Sequence, residues 1–95
     1  MDQGESVRAV AVAVHGRVQG VSFRAYAEQQ AQLLGVRGWV RNEPDGSVAA
    51  HLEGDPAAVD AMVAWCRQGP RLAHVERVEV RETEAAGHGS FDIRF

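Results

Sequence analysis

The sequence predicts an α+β fold, with two helices on one face of an antiparallel sheet in the order β-α-β-β-α-β and a short strand added at the end. Three observations carry that expectation. The hydrophobic period switches repeatedly between strand-like and helix-like stretches, glycine or Gly-Pro stops follow each helical stretch, and a Pro-Asp-Gly turn joins two neighbouring strand-like runs. Ninety-five residues suffice for one domain with a single two-layer core. Residues 1–95 are therefore expected to form one unit, with 1–6 flexible.

Val7 to Val14 is β-rich and apolar on both alternating faces apart from Arg8, the pattern of an interior strand covered on one side by helices. From Phe23 the spacing becomes Phe23, Tyr26, Ala27, Gln30, Ala31 and Leu34, a helical stripe that Gly35 ends as a C′ residue. Val36–Asn42 and Ser47–Glu53 read as two strands joined around Pro44-Asp45-Gly46. Asp55-Pro56 supplies an N-cap and a first-turn proline, and Val59, Met62, Val63 and Cys66 follow at i, i+3, i+4 and i+7. After Gly69-Pro70, His74 to Thr83 is a strand whose apolar positions slip phase once, so either a bulge lies there or the strand starts at Arg77. Phe91, Ile93 and Phe95 alternate in a terminal strand. This order resembles the split β-α-β, or ferredoxin-like, sandwich.

The run from Gly16 to Phe23 (Gly-Arg-Val-Gln-Gly-Val-Ser-Phe) lies between the first strand and the first helix. A chain that leaves a strand through a glycine-bearing loop and enters a helix points unpaired backbone N–H groups at one spot, which suits an anion. Arg24 strengthens the inference. A cation in the first turn opposes the helix dipole at a cost of a few tenths to about 1 kcal/mol, and a bound phosphate reverses the sign of that cost. Asn42 falls at the hairpin end of the second strand, which this order can bring to the same sheet edge as the loop. Taken alone it is a turn former. Beside an anion loop, its amide offers a donor and an acceptor without charge, as positioning a water next to a phosphoryl group requires.

Composition narrows the alternatives. With 45% hydrophobic residues, 24% charged residues and a formal net charge of −3, the chain has no general attraction for nucleic acid or an anionic membrane, so anion binding must be local. All ten basic residues are arginine, which fits compositional bias better than a binding surface, and the absence of lysine excludes a P-loop lysine or a Schiff base. The single Cys66 permits no internal disulfide and no cysteine-based metal site. Residues 1–6 have no secretory signal character and no run of about 18 apolar residues occurs, so a cytoplasmic location is expected.

Gly16-Arg17-Val18-Gln19-Gly20-Val21-Ser22-Phe23-Arg24 and Gly38-Trp39-Val40-Arg41-Asn42-Glu43-Pro44-Asp45-Gly46-Ser47-Val48 resemble the two signature segments of the acylphosphatase family, in order and separation. The resemblance extends over the whole chain and departs only outside the signature positions: the chain ends in Phe95 where members often end in Tyr, and Ser22 fills a variable position. It implies that Arg24 binds the phosphoryl group, that Asn42 orients the attacking water, and that the backbone N–H groups of Arg17, Val18, Gln19, Gly20 and Val21 cradle the phosphoryl oxygens. It also implies hydrolysis of acyl phosphates to a carboxylate and inorganic phosphate with no metal, cofactor or covalent intermediate. Inorganic phosphate and sulfate would then compete with the small-molecule substrate, and a chain of this size is expected to be a monomer.

The remaining candidates have plainer readings. His15, His51, His74 and His88 show no metal-ligand spacing and read as surface or structural residues; His15, which abuts the loop, is the one able to tune anion binding. Ser22 reads as a helix N-cap. Trp39 and Trp65 read as core, with Trp39 bordering the acyl group, and Cys66 as a buried small hydrophobe. Glu28, Glu43 and Asp45 read as solvated charges. Two rival functions stay open: a non-catalytic module that binds phosphate, carbamoyl phosphate or RNA through this fold, and an accessory domain of a larger enzyme. The RNA reading is disfavoured by the net charge and the lack of paired aromatics on the central strands.

Overall fold

In the computed structural model, which describes residues 6–95, the first strand β1 (Arg8–Arg17) occupies the interior of a five-stranded sheet. The expected flexibility of residues 1–6 falls outside the described residues but for Ser6, which is exposed. The sheet continues with β2 (Arg37–Asn42), β3 (Val48–Gly54), β4 (His74–Thr83) and β5 (Phe91–Arg94), in the order β4-β1-β3-β2-β5. Helices α1 (Phe23–Leu34) and α2 (Pro56–Gln68) lie on one face. The β-α-β-β-α-β order with a terminal strand is as the sequence predicts. All pairings are antiparallel except β2 with β5, which is parallel, so the sheet is mixed.

Alternation along β1 decides which face is covered. Val10, Val12 and Val14 are buried beneath the helices with Val48, Ala50 and Leu52 of β3, while Ala11, Ala13 and His15 face the other way. The core is completed by Phe23, Ala27 and Ala31 of α1, Val59, Met62, Val63 and Cys66 of α2, and Phe91 of β5. Removing each large apolar side chain from water contributes roughly 1.5–3 kcal/mol. The α1 stripe is narrower than its spacing suggests, because Tyr26 is half exposed and leaves the core to Phe23 and two alanines. Cys66 is buried, and burial pushes its thiol up to about 12, which makes it inert. Trp65 packs on the core edge 5.2 Å from Phe23, whereas Trp39 is not in the core. It lies on the helix-free face, stacked on His51 and flanked by the guanidinium groups of Arg41 and Arg94.

The helix ends follow the sequence. Asp55 accepts from the N–H of Ala57 at the start of α2 with Pro56 in the first turn, and Gly35 closes α1 with φ 75°. Two other glycines are fixed by close approach. At Gly38 (φ +137°) a Cβ would sit 1.8 Å from the His51 carbonyl oxygen, and at Gly16 (φ +127°) 2.2 Å from that of His74. Gly16 lies where the phase slip in β4 resolves as a bulge: His15 pairs with Arg77 and Gly16 with Val75, so Glu76 is the extra residue.

The segment from β4 to β5 crosses the helix-free face at the end of the sheet remote from the α1 N-terminus. There it is held by Glu53, the one fully buried acidic side chain among the described residues. Its carboxylate accepts from the N–H groups of Ala86 (2.8 Å), Gly87 (3.0 Å) and His88 (2.9 Å) and contacts His51 Nε2 at 2.7 Å. Burial pushes this carboxyl up; the hydrogen bonds from His51, Ala86 and His88 outweigh it and hold the group at about 2, below its ordinary 4.5. A depressed folded-state pKa contributes stability that is present above about pH 4.5 and lost as pH falls towards 2. Acid melts of the wild type are therefore expected to lose on the order of 2 kcal/mol across that window through this group alone. Glu53→Gln should be less stable at neutral pH and show a flatter dependence; an unchanged slope in the variant would remove Glu53 from the account.

Candidate active site

The first strand, the first helix and the first hairpin meet at the other end of the sheet. Between β1 and α1, residues 18–22 form a loop whose one buried side chain, Val18, is anchored in the core. Gly20 has φ 75° and Ser22 φ 61°, so two residues close together adopt the left-handed region, a conformation from which anion-binding concavities of backbone amides are built. Ser22 occupies the N-cap position of α1, as expected, yet its side chain makes no capping hydrogen bond; its carbonyl accepts from the Tyr26 N–H at 3.1 Å. Among the described residues, no backbone carbonyl accepts from the N–H groups of residues 18–22. The first-turn amides of Phe23, Arg24 and Ala25 likewise have no intrahelical partner, by the geometry of any helix start.

A cleft of about 440 Å³ is lined by Val18, Gly20, Ser22, Phe23, Arg24 and Ala25, by Asn42, and by Ile93 and Phe95. Arg24 and Asn42, 18 positions apart in the sequence, thus border one space. Asn42 ends β2 on the same side of the sheet as buried Val40, opposite Val48 of β3. The Arg24 guanidinium is held in two ways. Nη1 donates to the Arg94 carbonyl at 3.0 Å, and Cζ lies 4.8 Å from the centre of the Phe95 ring. Phe95, fully exposed, is therefore not core; its ring serves as a platform for the arginine.

The other loop residues are distributed unevenly. Val18 and Gly20 line the cleft, Val21 lines an adjoining cleft of about 430 Å³ with Tyr26, Arg71 and Leu72, and Arg17 ends β1 opposite His74 with an exposed side chain. Gln19 contributes through its side chain. Its amide nitrogen donates to the carbonyls of Glu43 (2.8 Å) and Ser47 (2.9 Å), tying the loop to the hairpin that carries Asn42. That hairpin is built locally: Asp45 Oδ1 accepts from the Ser47 N–H and hydroxyl, and these hydrogen bonds hold the Asp45 carboxyl below its ordinary value. Glu43 pairs with Arg41 at 2.5 Å and so is not a free carboxylate.

His15 does not face the cleft. It lies on the helix-free face with Nε2 2.9 Å from Glu79, whose carboxyl is lowered chiefly by that hydrogen bond. Trp39 lies on the same face and does not border the cleft. Three features escape sequence reasoning: the Gln19 tether, the Arg94 carbonyl and the Phe95 platform. The Gln19 tether depends on how the loop folds against the hairpin, and the last two depend on the parallel pairing of β5 with β2, for which no local signal exists.

Comparison with known proteins gives a consistent picture. A family model described as Acylphosphatase matches residues 10–93. The chain is 63% identical over 93 residues to an acylphosphatase of Nocardioides sp. (strain JS614), a match covering 98% of this chain and 94% of that protein. An acylphosphatase structure from Coxiella burnetii superposes with a TM-score of 0.92 at 32% identity, covering 99% of this chain and all of that one. The acylphosphatase structure from Bacillus subtilis gives 0.90 at 32% identity, covering 95% and 100%.

Proposed function

The chain belongs to the acylphosphatase family, and on that premise we propose how its cleft hydrolyses an acyl phosphate. The enzyme is a hydrolase of acyl phosphates, small molecules whose phosphoryl group is joined to a carboxylate. Their leaving carboxylate has a pKa near 4, so strong acid catalysis is unnecessary. The reaction then asks for positioning and for charge stabilisation over the equatorial oxygens. In our reading the amides of residues 17–21 and the Arg24 guanidinium bind those oxygens, each well-placed donor contributing roughly 3–4 kcal/mol in the transition state. Asn42 orients a water in line with the scissile P–O bond. The water oxygen bonds to phosphorus, the P–O bond to the carboxylate breaks, and the water's proton passes to a phosphoryl oxygen. The observation that carries this reading is that Val18, Gly20 and Ser22, whose N–H groups have no carbonyl partner among the described residues, border one cleft with Arg24 and Asn42.

No further group is required. The site as proposed is metal-free and cofactor-free, and the protein acts as a single-domain monomer in the cytoplasm without nucleic-acid or membrane partners. The net charge of −3 supports the absence of nucleic-acid binding, and among the described residues no helix is long and apolar enough to cross a membrane. Release of inorganic phosphate from benzoyl phosphate tests the activity. Phosphate and sulfate should inhibit competitively, because a tetrahedral oxyanion fills a preformed nest of N–H donors and a guanidinium. EDTA should leave kcat unchanged. Activity lost on chelation and restored by Mg²⁺ or Zn²⁺ would overturn the metal-free mechanism, and binding of phosphate without turnover would favour the non-catalytic module.

A further inference from the structure

Far from the cleft, the crossover that Glu53 anchors brings together two histidines that are 37 positions apart in sequence. His51 and Glu53 share the helix-free face of β3, and His88 rides on the segment whose backbone Glu53 holds. One ligand atom from each of His51, Glu53 and His88 lies within 4.8 Å of the others, and the two imidazole rings are 5.2 Å apart. The His51 side chain is only 12% exposed, and its ring is steadied by stacking on Trp39.

We propose that His51, Glu53 and His88 form a structural Zn²⁺ site that staples the β4–β5 crossover to β3. Two imidazole nitrogens and one carboxylate oxygen are a ligand set suited to zinc, with water in the fourth tetrahedral position. The Glu53 carboxylate makes four contacts, of which three come from backbone N–H groups and only one, at Oε1, from a side chain. The metal takes the place of that His51 contact, with His51 carrying its proton on Nδ1 and Nε2 turned to the ion. The three amides stay bonded and continue to orient the carboxylate, as polar groups around a metal ligand do. Tetrahedral zinc with bonds of about 2.0–2.2 Å needs donor atoms roughly 3.3 Å apart. The donor atoms, now within 4.8 Å of one another, must therefore draw together by up to about 1.5 Å on binding. Along β3, taking roughly 3.3 Å per residue, His51 lies about 10 Å and Glu53 about 17 Å from Val48, which pairs with Asn42, and both lie on the opposite face. The site is therefore separate from the chemistry of the cleft.

The test uses the whole chain, stripped with chelator and then given Zn²⁺ or Co²⁺ alone. A metal that binds only the folded protein should raise Tm by roughly 5–10 °C when it is well above its dissociation constant. Co²⁺ should give the visible absorption bands of a tetrahedral centre. His88→Ala and His51→Gln, the second chosen because glutamine can still donate to Glu53, should each lose both signals. His15→Gln and His74→Gln should keep them. No Tm rise in the wild type, or an undiminished rise in His88→Ala, would overturn the proposal.

Discussion

Arg24→Ala is expected to lower kcat/KM for benzoyl phosphate by about three orders of magnitude or more, the loss typical of removing a cationic donor from a phosphoryl-transfer site. The phosphate inhibition constant should weaken in parallel, because the guanidinium binds the phosphoryl group in the ground state as well. The fold should survive. Removing a cation from the first turn of α1 relieves a few tenths to about 1 kcal/mol. Against that stand the lost hydrogen bond to the Arg94 carbonyl and the contact with the Phe95 ring, together worth about 1 kcal/mol at a partly exposed site. The two sides nearly cancel, so Tm should move by only a few degrees while activity disappears. Near-wild-type turnover in a folded Arg24→Ala protein would refute the role given to this residue.

Asn42 separates binding from chemistry. If its amide holds the water and not the phosphoryl group, Asn42→Ala should reduce kcat by about 10²–10³ while KM and the phosphate inhibition constant stay within a few-fold, because only the transition state uses the contact. Asp and Gly test whether the residue is a mere turn former. Both preserve turn geometry, and both are expected to fail: aspartate loses the N–H donor and places a negative charge beside an anionic substrate, and glycine removes the amide altogether. A folded Asn42→Gly enzyme with near-native kcat would transfer the water to another group. Gln19, the other uncharged amide at the loop, is a poor substitute, because its nitrogen already donates to two hairpin carbonyls.

Much of this was legible in the chain because it is encoded locally. Period-2 and period-3.6 patterns located every strand and helix, Asp55-Pro56 and Gly35 marked helix ends that the structure retains, and the phase slip in β4 was a bulge. The approach of Arg24 and Asn42 to one cleft also followed, since a loop before a helix and the end of the next strand fall at the same end of this sheet. What the sequence hid was pairing across distance. No residue of β5 announces that it will lie parallel to β2, so the support of Arg24 by Arg94 and Phe95 was invisible. Trp39 was misplaced for a related reason: an aromatic in a strand has two faces to choose from, and here it chose the one without helices. Glu53 was no more than the end of a strand in the sequence, because its three amide partners come from more than 30 residues away.

The placement of β1 also governs how the chain must be assembled. It is synthesised first, yet its two hydrogen-bonding edges are closed by β3 and β4, the second of which begins at His74. Until both arrive, Val10-Ala-Val-Ala-Val14 is an apolar strand with open edges, no proline and no charge, the composition that self-associates most readily. Pairings this distant in sequence close slowly, since the entropy of the intervening loops is lost before the contacts form. The most protected strand of the finished molecule is thus its most vulnerable segment during synthesis, and the time spent waiting for β4 sets the interval in which aggregation competes with folding.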